Sequence, residues 1–167
     1  MKINNRQLKA MLLLSMISVL GGCNSIDKML SKVVPFYSYN KTALSSISVT
    51  SQTNSNSNLP VSLDFVFIFD ETVNPSLLGL SGPQWFGDKA RLMLNFDQQL
   101  LVAAIEVVPD TVMYTINLPE GYDNAVKVLL FANFVRKPGQ YGADISQFKQ
   151  LHITLTETGY QLKEVNP

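Results

Sequence analysis

The chain has one cysteine, one histidine and one tryptophan in 167 residues. A single cysteine rules out an internal disulfide. A single histidine, His152, leaves a zinc site without its usual set of nitrogen ligands. A serine triad would have to recruit that same His152, and no G-x-S-x-G elbow presents a serine to it. No glycine loop for phosphate is present, because the glycines at 79, 82 and 87 are not followed by Lys-Ser or Lys-Thr. Charge of either sign is not in excess: Lys+Arg and Asp+Glu both number 13, so nothing points to nucleic acid as a partner. Long apolar runs are missing too. The stretch from Ala10 to Leu20 is about eleven residues, where a membrane-spanning helix needs roughly 20. The carboxylates of "FDETV", Asp70 and Glu71, read as a solvated strand end rather than an acid–base pair. These absences argue against an enzyme, and no motif calls for a cofactor or a metal.

What is present begins at the front. "MKINNRQLKAMLLLSMISVLGGC" has a basic start (Lys2, Arg6, Lys9), an apolar core and two small residues before Cys23. Those are the three parts of a secretory signal peptide. A lone cysteine can be a buried small residue, a nucleophile, an intermolecular bridge or a lipid attachment point. Its position decides, because Leu20-Gly21-Gly22-Cys23 resembles a bacterial lipobox. The resemblance implies cleavage before Cys23, diacylglycerol on its thiol and acylation of its new amine. Several acyl chains, at about 0.8 kcal/mol per buried CH₂, make a stable anchor. Asn24 follows where Asp would mark retention in the inner membrane, which favours the outer membrane, facing the periplasm. Without the first 22 residues the chain keeps 10 basic residues (13 less Lys2, Arg6 and Lys9) against 13 acidic, a net of −3.

The expected organisation is a signal peptide over 1–22, a lipidated N-terminus and tether over 23–43, and one folded domain over 44–167. The tether contains Pro35 and a formal glycosylation triplet at 40–42, which carries little weight in a bacterial lipoprotein. "LSSISVT" (44–50) predicts a strand. "SQTNSNSNLP" (51–60) is polar and turn-forming throughout and predicts an exposed loop, either a plain connector or a contact loop. "VSLDFVFIFD" (61–70) is the clearest strand: Leu63, Phe65, Phe67 and Phe69 share a core face. Val66 and Ile68 on its other face call for a covering element. Asp64 on that face, like Glu106 later, reads as exposed, with edge protection as a possible role.

A helical insertion over about 74–97 follows. Asn74 reads as an N-cap before Pro75, and Ser81 with Gln84 reads as a capping box. Trp85, Lys89, Leu92 and Phe96 fall near one side, so Trp85 and Phe86 read as packing on a sheet rather than as an exposed anchor. The remainder predicts strands at 101–109 and 111–118 around a Pro109-Asp110 turn. Further strands follow at 125–135 (apolar on both faces, hence central), 148–157 and 160–165. Leu151, Ile153 and Leu155 face the core, and His152 lies opposite with Thr154 and Thr156. The fold class is therefore mostly β: an antiparallel β-sandwich of seven or eight strands with a small helical insertion.

The order of these segments resembles the outer-membrane lipoprotein of the type VI secretion membrane complex, the TssJ (SciN-type) family. The resemblance runs from the lipobox through the Asn-rich loop entering "VSLDFVFIFD", to "IEVVPDTVMYTINL", "AVKVLLFANFVR" and the hairpin "LHITLTETGYQL". Asp110 stands where the family usually has glycine. The resemblance implies a transthyretin-like sandwich with a scaffolding role, hung from the outer membrane through its N-terminal lipid. It implies binding to the periplasmic domain of the large inner-membrane component, TssM. The contact loop would be Ser51, Gln52, Thr53, Asn54, Ser55, Asn56, Ser57 and Asn58, running on to Pro60. The rival readings are a lipoprotein that captures a small ligand, glycan or peptidoglycan, which needs a concave aromatic or polar pocket, and a carboxylate-only hydrolase, which needs two buried carboxylates in one cleft.

Overall fold

The computed structural model describes residues 41–136 and 140–165. The signal peptide, Leu20, Gly21, Gly22, Cys23 and most of the tether lie outside the described residues. The strands are β1 (Ser46–Ser51), β2 (Val61–Ile68), β3 (Leu100–Val107), β4 (Tyr114–Thr115), β5 (Lys127–Asn133), β6 (Ala143–Asp144), β7 (Gln150–Leu155) and β8 (Tyr160–Glu164). Two helices, α1 (Asn74–Leu78) and α2 (Gly82–Phe96), separate β2 from β3. The strands form two four-stranded sheets, ordered β4-β1-β7-β8 and β3-β2-β5-β6.

The pairings are antiparallel except one: β1 runs parallel to β7, Ile47 opposite Leu151 and Val49 opposite Ile153. The expected antiparallel sandwich is present, with this one pair as a departure from it. β1 and β7 each alternate partly buried and buried residues, and parallel register brings their apolar residues to the same face. The turn at Pro109-Asp110 is likewise no hairpin. β3 pairs with β2 in one sheet and β4 with β1 in the other, so residues 108–113 carry the chain between sheets. The strand expected over 111–118 shrinks to Tyr114–Thr115.

The main core lies between the sheets. Leu63, Phe65 and Phe67 of β2 meet Ile47 and Val49 of β1 and Leu151, Ile153 and Leu155 of β7. A second core lies on the outer face of β2 and β5, where Val66, Ile68, Leu129 and Phe131 pack under Trp85 and Leu92 of α2. The central position of β5, buried on both faces from Val128 to Ala132, follows from its unbroken apolar run.

Local chemistry fixes the helices. Ser81 caps α2: its Oγ accepts from the Gln84 N–H at 3.4 Å, and Gln84 Oε1 accepts from the Ser81 N–H at 2.8 Å. Gly82 is required by proximity, since a Cβ there would stand 2.0 Å from the Ala132 carbonyl oxygen of β5. α1 starts at Asn74 itself with Val73 as the N-cap residue, one position earlier than expected. There the carboxylate of Asp70 accepts from the N–H and hydroxyl of Thr72, at 2.8 and 2.7 Å, and closes the turn leading in. Among the described residues no helix is long and apolar enough to cross a membrane.

Candidate functional site

Strand direction sorts the connections into two ends. β1 and β7 run the same way and β2 the opposite way, so loop 51–60, the crossing 108–113, the exit of β5 at 134–136 and the β7–β8 turn gather at one end. Residues 41–45 enter at the other. There the Thr42 N–H donates to the Ala125 carbonyl and the Ala43 N–H to the Ser146 carbonyl, each at 2.8 Å. The Lys41 ammonium donates to Asn124 Oδ1 at 2.6 Å. The two ends are separated by the length of β1, on the order of 20 Å.

The loop end is tied together by its own polar groups. The N–H groups of Gln52 and Asn56 donate to the carbonyls of Leu155 and Thr156, at 3.0 and 3.1 Å. The Ser51 N–H donates to the Thr111 carbonyl at 2.9 Å. The Thr53 hydroxyl reaches Asp110 Oδ1 at 3.1 Å. Asn56 is the central staple: its Oδ1 accepts from the Val135 N–H at 2.8 Å and its Nδ2 donates to the Pro60 carbonyl at 2.7 Å.

These bonds correct the expectation of a wholly exposed loop. Ser51, Ser55 and Asn56 are buried, and the Ser51 and Ser55 hydroxyls are 2.6 Å apart. A polar segment can turn inward when its side chains satisfy backbone groups that would otherwise be orphaned. Asn56, Ser57 and Asn58 all take left-handed backbone angles, with φ of 47°, 57° and 65°. Asparagine tolerates that region better than most residues, which gives the Asn-rich composition a conformational reason. Gln52, Thr53, Asn54, Ser57, Asn58, Leu59 and Pro60 remain exposed. Beside them lies an open depression of about 400 Å³ lined by Asn56, Leu59, Pro60, Asn133, Phe134 and Val135.

A second polar cluster is buried under α2. Asp64 is 1% exposed, which corrects its reading as an exposed edge residue. Its Oδ2 accepts from the Trp85 indole N–H at 2.7 Å and from the Lys89 ammonium at 2.8 Å. Trp85 also stacks on Phe131, with ring centroids 4.9 Å apart. Trp85 and Lys89 are one helical turn apart, and Asp64 shares the β2 face with Val66 and Ile68, so the three meet only once the helix docks on the sheet. Glu106 is exposed, as expected. A shallow depression of about 290 Å³ separates it from Asp64, with Phe86 and Lys89 on its wall.

His152 sits on the outer face of β7, where Ser48 Oγ lies 2.9 Å from Nδ1 and Thr50 Oγ1 lies 3.1 Å from Nε2. Both ring nitrogens are thus engaged by hydroxyls. No group of three or more His, Cys, Asp or Glu side chains with metal-binding spacing occurs among the described residues.

Two mostly antiparallel sheets with a small helical insertion are a fold shared with solved secretion lipoproteins. The type VI secretion lipoprotein TssJ1 from Pseudomonas aeruginosa superposes with a TM-score of 0.55 at 12% identity, covering 73% of this chain and 95% of that one. Lip of Serratia marcescens, a membrane-bound component of the type VI secretion system, gives 0.50 at 10% identity, covering 72% and 96%. A chain of a type VI membrane complex gives 0.50 at 16% identity, covering 74% and 98%. The chain therefore has the transthyretin-like β-sandwich fold of the TssJ-type lipoproteins. No family model and no curated protein sequence matches it.

Proposed function

We propose that the protein is a structural lipoprotein of a type VI secretion membrane complex. It is held in the outer membrane through lipid on Cys23, faces the periplasm, and binds the periplasmic part of a TssM-like inner-membrane protein. The observation that carries this reading is the near-complete coverage of three type VI secretion chains, 95%, 96% and 98% of their lengths, by one domain of this protein. A lipobox directly after a signal peptide adds to it.

The two-ended layout suits the role. The chain enters opposite the loop end, so Gln52, Thr53, Asn54, Ser57 and Asn58 are exposed at the end away from residues 41–45. The tether over 23–43 has a fully extended reach of roughly 65 Å, and anchoring raises the effective concentration of both partners. The depressions of about 290 and 400 Å³ are shallow and open, and give no support to the capture of a small ligand.

The test is a pull-down of the cognate periplasmic TssM-like fragment by residues 24–167. Binding is expected, with a loss of about tenfold or more when Thr53, Asn54, Ser57 and Asn58 are replaced together by alanine. A folded domain that ignores the cognate fragment would sink the proposal. Mass spectrometry of the membrane-extracted protein should find residue 23 at the N-terminus carrying acyl chains, and Cys23→Ser should leave the leader attached.

A further inference from the structure

The four sheet edges are not equally protected. β4 and β6 are two residues each, too short to template another strand. β8 carries Gln161, Lys163 and Glu164 along its five residues. β3 is the exception. It presents eight residues, "LLVAAIEV", paired among the described residues on one side only, by β2, with a single charge and no proline or lysine. Soluble proteins ordinarily blunt such an edge. The edge is also open: Ala104 and Glu106 are exposed, Leu101 is 39% exposed, and Val102, Ala103 and Ile105 are half-buried, whereas β2 and β5 are buried almost throughout.

The apolar surface continues from this edge into the chain that follows. Val108, Val112, Met113 and Tyr114 are 56%, 88%, 65% and 47% exposed. Together with Leu101 they place much of the described residues' exposed large apolar surface within one stretch, 101–114. The charge there has one sign. No Lys, Arg or His occurs between Arg91 and Lys127, while Asp97, Glu106, Asp110, Glu120 and Asp123 do. Among the described residues the ammonium beside β3, that of Lys89, is committed to Asp64 at 2.8 Å.

We infer that the free edge of β3, with the apolar shelf at 108–114, is a docking site for an extended strand of a partner protein in which apolar residues alternate with lysine or arginine. Unpaired main-chain groups of β3 supply the ladder, and side-chain alternation supplies selectivity. Leu101 and Ile105 share the face that looks between the sheets, while Ala104 and Glu106 share the other. A basic residue of the incoming strand meets Glu106, and its apolar residues cover Leu101 and Ile105. A second copy of this chain fits poorly. Antiparallel self-pairing that keeps like faces together sets Glu106 opposite Leu100 or Val102 of the other copy, close to its Asp97, with no cation to meet either acid. This surface is separate from the exposed residues of loop 51–58 and does not rest on the secretion reading.

Backbone amide exchange on the full-length chain in detergent tests it. The probe is a synthetic peptide as long as β3 in which valine and isoleucine alternate with lysine and threonine; the control replaces its lysines by glutamate. The lysine peptide should slow exchange at outward-facing amides of Leu100–Val107 and leave β8 unchanged. Glu106→Lys and, separately, Ala104→Lys should each weaken the effect about tenfold without altering thermal unfolding, while Gln161→Lys on β8 should not. Three results would overturn the inference: no protection of β3, equal protection by the glutamate peptide, or β3 protection that grows with protein concentration in the absence of peptide.

Discussion

The outer faces of the two sheets differ in kind. That of β3-β2-β5-β6 is roofed by α2, and beneath the roof lie Val66, Ile68, Leu129 and Phe131, together with the buried Asp64. That of β4-β1-β7-β8 carries no helix among the described residues, and holds the half-buried Ser48, Thr50, His152 and Thr154, linked by hydroxyl and imidazole hydrogen bonds. The first face holds its helix by area and by one desolvated charge. The second is polar and satisfied by its own side chains. Two sheets of equal strand number thus carry unequal shares of the burial, and the helical insertion between β2 and β3 makes the difference.

The contrast can be broken most severely at Trp85. Trp85→Ala removes the ring stacked on Phe131 and the Asp64 donor, and should cost about 3–5 kcal/mol in denaturant unfolding. Gly82→Ala comes next. It drives a methyl into the Ala132 carbonyl, where backbone has little room to yield, and a loss of about 1–3 kcal/mol is expected. A retained α2 with unchanged stability would show that the close approach is not needed.

Asp64→Ala strands the indole N–H of Trp85, while the ammonium of Lys89, a third exposed, can turn to water. A loss of about 1–3 kcal/mol should follow. The double variant Asp64→Leu, Trp85→Phe should be less destabilised than the two single costs added together, because no buried donor is then left without an acceptor. On the polar face His152→Ala should fall below about 1 kcal/mol. A cost matching Trp85→Ala would erase the distinction between the faces.

The smallest effect lies at the β6 edge. Burial alone would raise the pKa of Asp144. Hydrogen bonds from Lys127 and from the Ser146 hydroxyl and N–H outweigh it, joined by the Lys127 charge, and hold the carboxyl below the usual carboxylate range. A carboxylate lowered in the folded state stabilises it above the unfolded pKa of about 4 and loses that contribution as pH falls through the folded value. Asp144→Asn should therefore be less stable than the parent at neutral pH, and the gap should close in acid. A gap that persists at low pH would assign the role to shape rather than charge.

Much of this was legible in the sequence because alternation survives in it. Leu63, Phe65 and Phe67 announced the inner face of β2, Val66 and Ile68 announced a roof, and the capping box at Ser81 announced where that roof begins. Three things were hidden, each for a physical reason. The parallel pairing of β1 with β7 leaves no local mark, since either direction buries the same residues. The burial of Asp64 depends on partners supplied from 21 and 25 residues further on, the spacing of Trp85 and Lys89 from it. The inward fold of Ser55 and Asn56 depends on Thr156 and Val135, which no window around the loop contains. Asp110, standing where the resemblance expects glycine, has φ of 64°, a left-handed angle that glycine adopts most readily. Tertiary partners decided each of these, whereas local pattern decided the strands.

The pairing of β1 with β7 also sets an order on assembly. Every strand of the helix-roofed sheet comes from one continuous stretch between Val61 and Asp144, which can collapse by itself as the chain emerges. β1 is threaded out before all of them, yet its long partner is among the last segments made, Ser46 lying opposite Gln150. Until that late segment arrives the early strand has only the two-residue β4 beside it. The sandwich is closed by its tail, so a chain cut short before Gln150 should hold half a protein and an orphaned first strand.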